Sequence, residues 1–175
     1  MEPQPSAPSA YVVRRAEDGD LPAVAAIYND VVLHSTASFD LEPWTLTEQR
    51  QWLSEHSHPY AALVATDGSD VVGWAALSPF RPKPAYRFTA ENSLYVRADY
   101  QGKGIGGRLL EHLKAMTKTR RLLVGTWADA SWAIEFYRKH GFEFMPDKDK
   151  LLRTYWGVPE RQIETSVVLG METQN

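Results

Sequence analysis

The residues whose types and spacing point most directly to chemistry lie in one run, Gln101-Gly102-Lys103-Gly104-Ile105-Gly106-Gly107. The apolar stretch Leu94-Tyr95-Val96 leads into it, and a helical pattern of Ile105, Leu109, Leu110, Leu113 and Met116 leaves it. A strand that stops, a loop almost without side chains and a helix that starts leave several backbone N–H groups unpaired and pointing one way. The helix dipole adds partial positive charge at the same point, so the ligand suited to it is an anion, a pyrophosphate above all. A glycine pair by itself is as readily a tight turn. A P-loop would need Gly-Lys followed by Ser or Thr, and here Gly104 follows Lys103. A dinucleotide fingerprint would need other glycine spacings and an acidic residue at a strand end about 20 residues on.

Composition limits the rest. The 175 residues, 43% hydrophobic and 23% charged, suffice for one domain with a sizeable core. A net charge of -3 and a pI near 5.9 argue against general nucleic-acid binding. No apolar run approaches the roughly 20 residues of a membrane span. The absence of cysteine excludes a disulfide framework, a thiol nucleophile and a cysteine metal site. The five histidines, His56 and His58 among them, lack metal-ligand spacing and read as surface or loop residues, so no metal is expected. Residues 1–10, with Pro3, Pro5 and Pro8, lack the order of a signal peptide and read as a disordered tail, consistent with a cytoplasmic protein. Residues 11–171 form the expected domain and 172–175 a short C-terminal tail.

The elements that must position the loop follow from periodicity. Tyr11 to Arg14 reads as a strand; Leu21, Val24, Ala25, Tyr28, Val31 and Val32 mark a helix with Asp18 and Asp20 before it and Pro22 in its first turn. Thr45 and Glu48 make a capping box for a short second helix. Ala61–Thr66 and Val71–Leu77 form a hairpin across Asp67-Gly68, with a loop longer than two residues expected. Pro79, Pro82 and Pro84 place Ser78 to Pro84 in a loop carrying Arg81 and Lys83. Strands over Phe88–Val96, Arg121–Trp127, Phe142–Met145 and Glu164–Leu169, with a helix from Ala130 to His140 closed by Gly141, complete the pattern. Trp127, Trp132 and Trp156 read as core or interface residues. Hairpin-ordered strands with interposed helices indicate a mixed sheet covered on both faces.

The Gln-x-x-Gly-x-Gly loop resembles the pyrophosphate loop of the GCN5-related N-acetyltransferases. Within that family the chain is most similar to the phosphinothricin and methionine-sulfoximine acetyltransferase branch. Three blocks carry the likeness: Tyr28-Asn29-Asp30 through Ser38-Phe39-Asp40-Leu41-Glu42-Pro43; Ser78-Pro79-Phe80-Arg81 with Ala85 through Val96; and Ala133-Ile134-Glu135-Phe136-Tyr137 with His140-Gly141-Phe142. The resemblance implies a single-domain α/β fold with a mostly antiparallel sheet of six or seven strands, acetyl-CoA as co-substrate, a small-molecule amine as acceptor and a homodimer. Leu94, Tyr95, Val96, Gln101 to Gly107, Arg108 and Ser131 would then meet the co-substrate, with Lys103 and Arg108 near its phosphates.

Acetyl transfer from a thioester to an amine needs a base for the ammonium, an N–H for the developing oxyanion and a donor for the departing sulfur. Glu91, on the strand running into the loop, matches the branch's catalytic glutamate; Tyr137 matches its general acid. The free N–H is expected from a distorted strand around Tyr95 and Val96. Phe39, Arg81, Lys83 and Tyr86, with Glu91, form the expected acceptor site, the cations suiting an anionic tail on the substrate. Two departures stand out. Ala130 occupies the family's usual asparagine position, with Asp129 or Ser131 as substitutes, and the segment Leu151 through Ser166 differs from the amino-acid-analogue enzymes. Acetylation of protein N-termini, lysines or polyamines, and a non-catalytic acyl-CoA-binding role, remain the alternatives.

Overall fold

A computed structural model describes residues 11–35, 37, 38, 40–79, 84 and 89–173. Its strands are β1 (Val12–Arg15), β2 (Ala61–Asp67), β3 (Asp70–Pro79), β4 (Thr89–Val96), β5 (Arg121–Trp127), β6 (Glu143–Phe144) and β7 (Ser166–Glu172). They form one sheet in the order β1-β2-β3-β4-β5-β7-β6. Neighbours are antiparallel except β4 and β5, which are parallel and therefore need a crossover. Helix α3 (Ile105–Met116) supplies it. The other helices are α1 (Leu21–His34), α2 (Leu46–Glu55), α4 (Ser131–Lys139), α5 (Lys148–Tyr155) and α6 (Glu160–Glu164).

Strand alternation sorts the helices between the two faces. Leu63 and Ala65 of β2 pack with Ile105, Leu109, Leu110 and Leu113 of α3 and Tyr137 of α4. Val64, between them, packs on the opposite face with Val24, Ile27 and Tyr28 of α1 and with Trp74 of β3. The register Ser78–Glu91–Leu123 places those three side chains on the α1 face. There Leu123 and Val168 are covered by Leu151 and Leu152 of α5 and Ile163 of α6. Both faces are thus helical, as the alternating pattern predicts.

Local signals account for the helix starts. Thr45 Oγ1 accepts from the Glu48 N–H (3.3 Å) and a Glu48 oxygen accepts from the Thr45 N–H (2.7 Å), closing the capping box. Asp20 precedes α1 and takes a two-pronged ion pair from Arg14 at 2.6 and 2.8 Å, which ties the end of β1 to the helix. The Arg14 guanidinium holds the Asp20 carboxyl below its ordinary range.

Several expectations are corrected. Asp67 pairs with Asp70, so the hairpin loop is the two-residue Gly68-Ser69, with Gly68 at φ +59°. Ser78 and Pro79 belong to β3 and not to a loop: β2 begins at Ala61, opposite Leu77, so β3 has one neighbour at Pro79 and the missing N–H faces an open edge. The strand expected at Phe142–Met145 is only Glu143–Phe144, because Phe142 turns into the core at 2% exposure. β7 starts at Ser166 because Glu160–Glu164 is helical, and α5 and α6 fill a stretch read only as divergent. β7 also runs through Glu172.

Candidate active site

The site is a wedge in the sheet. β4 and β5 pair only over Thr89–Glu91 against Arg121–Leu123, yet β4 continues to Val96 and β5 to Trp127. Beyond Glu91 the strands part, leaving a cleft of about 1420 Å³ lined by residues of both, of α1, α3 and α4, and by Trp156. The expected strand distortion at Tyr95 and Val96 is absent: β4 keeps continuous register with β3 through Val96. The irregularity falls in β3, where Ala65 faces Gly73, Thr66 faces Val71 and Val72 is left over. Free N–H groups on β4 arise from the splay, since alternate residues past Glu91 have no strand on that edge.

One half of the cleft is made of backbone. After β4, Arg97 N–H bonds to Val72 O at 3.0 Å and a short turn, Ala98–Tyr100, leads to the glycines. Gly102 and Gly104 have φ of +74° and +81°, a left-handed backbone that L side chains rarely adopt. A Cβ on either would meet nothing within 4 Å, so conformation and not space selects glycine there. Gly106 differs: its Cβ would come within 3.3 Å of the Phe136 ring, so it serves the approach of α3 to α4. The first intrahelical bond is Arg108 N–H to Gly104 O at 3.2 Å, leaving the N–H groups of the turn before it directed into the cleft. This cradle fits a pyrophosphate.

Leu94, Tyr95, Val96, Gln101, Gly102, Gly104, Ile105, Gly106, Gly107 and Arg108 all line the cleft. Arg108 also donates to Tyr11 O at 3.0 Å. Lys103 is exposed, with its ammonium 4.2 Å above the Tyr100 ring, and is not among the lining residues. Ser131 is exposed at the start of α4 and is likewise not a lining residue, although its neighbours Trp132 and Ala133 are. Ala130 is buried at the helix N-cap.

The other half is made of side chains. Glu91 accepts a hydrogen bond of 2.6 Å from the indole N–H of Trp156. Burial pushes the Glu91 carboxyl above its ordinary range, the Trp156 N–H offsets part of the rise, and the charge of Asp40 adds to it. Tyr28, from α1, is hydrogen-bonded through its hydroxyl to Ser38 (2.8 Å) and donates to Asp40. Its ring lies in an aromatic stack with Trp44, Trp74 and Tyr95. Tyr137 approaches from the opposite face of the sheet. Its hydroxyl accepts from Asn92 at 3.2 Å, which leaves its own proton available to the cleft. Burial pushes that hydroxyl up to about 12, against the Asn92 amide and with the Glu91 charge.

The wedge therefore brings Glu91 and Tyr137 to one cleft although they point from different faces of the sheet. Phe39, Arg81, Lys83 and Tyr86 lie outside the described residues. Tyr28 and Asp40 fall in the block that resembles the branch's substrate-side helix and loop, without an individual role there; Asn92 has no role in the sequence reading, and Trp156, expected in core or interface, stands at the cleft wall against Glu91. The spacing of Leu151, Leu152 and Tyr155 would have marked α5, but nothing local marks its partner 65 residues away. His56, expected at the surface or in a loop, is buried, with Nε2 2.9 Å from the Ser78 hydroxyl. Among the described residues no group of three or more His, Asp or Glu side chains is placed to hold a metal.

Comparison with known proteins bears on this geometry. The sequence model of the Acetyltransferase (GNAT) family matches residues 22–142. The chain is 37% identical over 136 residues to an L-methionine sulfoximine/L-methionine sulfone acetyltransferase of Pseudomonas paraeruginosa, 75% of this chain and 79% of that one. A phosphinothricin acetyltransferase from Sinorhizobium meliloti, solved in complex with acetyl-CoA, superposes with a TM-score of 0.80 at 27% identity, covering 94% of this chain and 89% of that one. A ribosomal-protein-alanine N-acetyltransferase from Brucella melitensis gives 0.79 at 29% identity, with 92% and 99% covered.

Proposed function

The chain belongs to the Acetyltransferase (GNAT) family and is an acetyl-CoA-dependent N-acetyltransferase of small-molecule amines, and we propose that its acceptor is the α-amine of an amino acid or close analogue, with Glu91 as general base and Tyr137 as donor to the sulfur. The observation that carries the proposal is that Glu91, its carboxyl raised by burial, and Tyr137, its hydroxyl held protonated, line one cleft opened where β4 and β5 part, beside a backbone cradle suited to pyrophosphate.

Each group has a defined task. When bound, acetyl-CoA supplies an activated acetyl thioester. The backbone of Gly104 to Gly107 and the α3 dipole hold its pyrophosphate, and the unpaired edge of β4 orients the pantetheine arm and offers an N–H to the carbonyl oxygen. Glu91, whose carboxyl burial raises above its ordinary range, takes the ammonium proton in its ionised form, directly or through one water, freeing the nitrogen lone pair for attack on the carbonyl carbon. Asp40, on the same side, favours a cationic acceptor at that point. As the C–S bond breaks, the Tyr137 hydroxyl hydrogen-bonds to the departing sulfur, and the second proton of the attacking nitrogen passes to the thiolate, leaving a neutral amide and a CoA thiol. Since its pKa near 12 stands well above the roughly 8.5 of a thiol, hydrogen bonding to the thiolate is favourable and complete transfer of the tyrosine proton is uphill. No side-chain nucleophile is required, so transfer is direct.

Thiol release from acetyl-CoA across phosphinothricin, methionine sulfoximine, ordinary amino acids, polyamines and N-terminal peptides tests this. The absence of cysteine means that a thiol reagent reports CoA alone. Turnover confined to free amino acids or analogues, lost in Glu91→Gln, supports the proposal. Turnover confined to peptides would move the acceptor to protein N-termini, a reading that the Brucella likeness favours. The proposal extends to a homodimer, as the resemblance implies, and to a cytoplasmic location, as the composition of residues 1–10 suggests. Light scattering that gave a single 19.8 kDa chain would overturn the dimer.

A further inference from the structure

We propose that Trp156 is a positioning residue for the acceptor-side base: its indole N–H fixes one oxygen of Glu91 so that the other faces the amine, which makes the α5–α6 segment part of the acceptor pocket. The inference rests on Glu91 being the base.

Three observations support it independently. First, the hydrogen bond is short, 2.6 Å, and joins a neutral donor to the group that carries charge when the base is active. Secondly, the indole lies against the backbone of β5: a Cβ on Gly125 would come 3.1 Å from Trp156 Cε2 and 3.2 Å from Cζ2. Glycine at position 125 therefore makes room for the ring in the wedge. Thirdly, Trp156 is held from behind. Trp156 N–H and Gly157 N–H both bond to Leu152 O at 3.0 Å, Gly157 has φ +58°, and Leu152 is fully buried against Leu123. Lys148 Nζ donates to Ile163 O at 2.8 Å and binds α5 to α6. An anchored ring with a single N–H presents one donor in one direction, so the carboxylate has one orientation.

The titratable groups around Glu91 are Tyr28 and Asp40 on the α1 side, Tyr95 on its own strand and Tyr137 from α4. Across β3, Ser78 stands opposite it and carries His56 on its hydroxyl. Burial and Asp40 favour the protonated carboxyl, and Trp156 favours the ionised one. Removing the indole N–H must therefore raise the pH at which the base becomes active.

The test is the pH profile of kcat/KM for wild type, Trp156→Phe and Gly125→Ala, with acetyl-CoA affinity and Tm measured alongside. Trp156→Phe keeps an aromatic ring and loses the donor. Its acidic limb is expected to move up by about one pH unit, a roughly tenfold loss on the limb, and the high-pH plateau to fall as well because the ionised carboxylate loses its fixed orientation, with the acetyl-CoA Kd within about threefold of wild type. Gly125→Ala displaces the ring and is expected to shift the limb in the same direction. A limb that stays in place in both variants, whatever happens to the plateau, overturns the proposal. Failure of the underlying reading looks different: Glu91→Gln would then retain turnover and the acidic limb.

Discussion

The two halves of the cleft are built from different materials. On the proposed reading, the half that takes the co-substrate is one continuous stretch, Leu94 to Arg108, which presents mainly backbone N–H groups from two left-handed glycines and a helix start. The half proposed to take the acceptor is assembled from side chains of distant segments, with Tyr28 on α1, Asp40 in the loop after it, Glu91 on β4 and Trp156 after α5. Backbone recognition suits a ligand that never changes, because no side-chain substitution removes an amide. Side-chain recognition can be altered one residue at a time while the cradle stands. The sheet separates the two tasks at Glu91, the last β4 residue paired with β5.

If that separation is real, variants in the two halves give opposite kinetic signatures. Glu91→Gln should have the largest effect, a fall in kcat of about 10²–10⁴-fold with the acetyl-CoA Kd unchanged by calorimetry. In the wild type, kcat/KM should decline as pH falls through the raised Glu91 pKa, at a higher pH than for an ordinary carboxylate, because the base acts only when ionised. Loss of acetyl-CoA binding in Glu91→Gln would break the comparison.

Next comes Leu152→Ala, fully buried beneath α5. A cavity there should cost about 2–5 kcal/mol in denaturant unfolding. In the folded fraction it should loosen Trp156 and lower kcat while sparing acetyl-CoA affinity. Gly104→Val should do the reverse. A β-branched side chain at φ +81° costs about 1–2 kcal/mol locally, so acetyl-CoA Kd is expected to rise about tenfold, with kcat at saturation within threefold of wild type.

The same contrast explains what could be read from the sequence. The cradle was legible because its signal is local: a strand, four closely spaced glycines and a helix pattern within the 28 residues from Thr89 to Met116 specify it almost alone. β5, the α1 and α3 helices and the capping box were legible for the same reason. Pro79 misled because proline is excluded only from strands with two neighbours, and the number of neighbours is a tertiary fact. The α5–α6 unit escaped because two short helices bury only a few residues each, and their apolar spacing is brief. Trp156 escaped for a stronger reason. Its role depends on the approach of β5, β7 and the sheet wedge, none of which a tryptophan's neighbours in sequence encode.

The smallest expected effect gives the finest test of the division. Tyr28→Phe removes one hydroxyl and leaves in place the ring that packs 4.3 Å from Trp44 and against Trp74 and Tyr95. The hydroxyl's partners, Ser38 and Asp40, belong to the loop that follows α1, and Asp40 is exposed, so water can replace part of what is lost. One hydrogen bond to a charged, wetted partner is worth about 1 kcal/mol net, which predicts a rise in acceptor KM of about fivefold. kcat should stay within twofold, because Glu91 keeps its Trp156 partner, and acetyl-CoA Kd should not move, because the cradle shares no side chain with the loop. A change in KM alone would mean that Tyr28 acts by holding Asp40 toward the acceptor. A parallel change in acetyl-CoA Kd would mean that the aromatic stack transmits strain across β4 through Tyr95, and that the two halves are one mechanical unit.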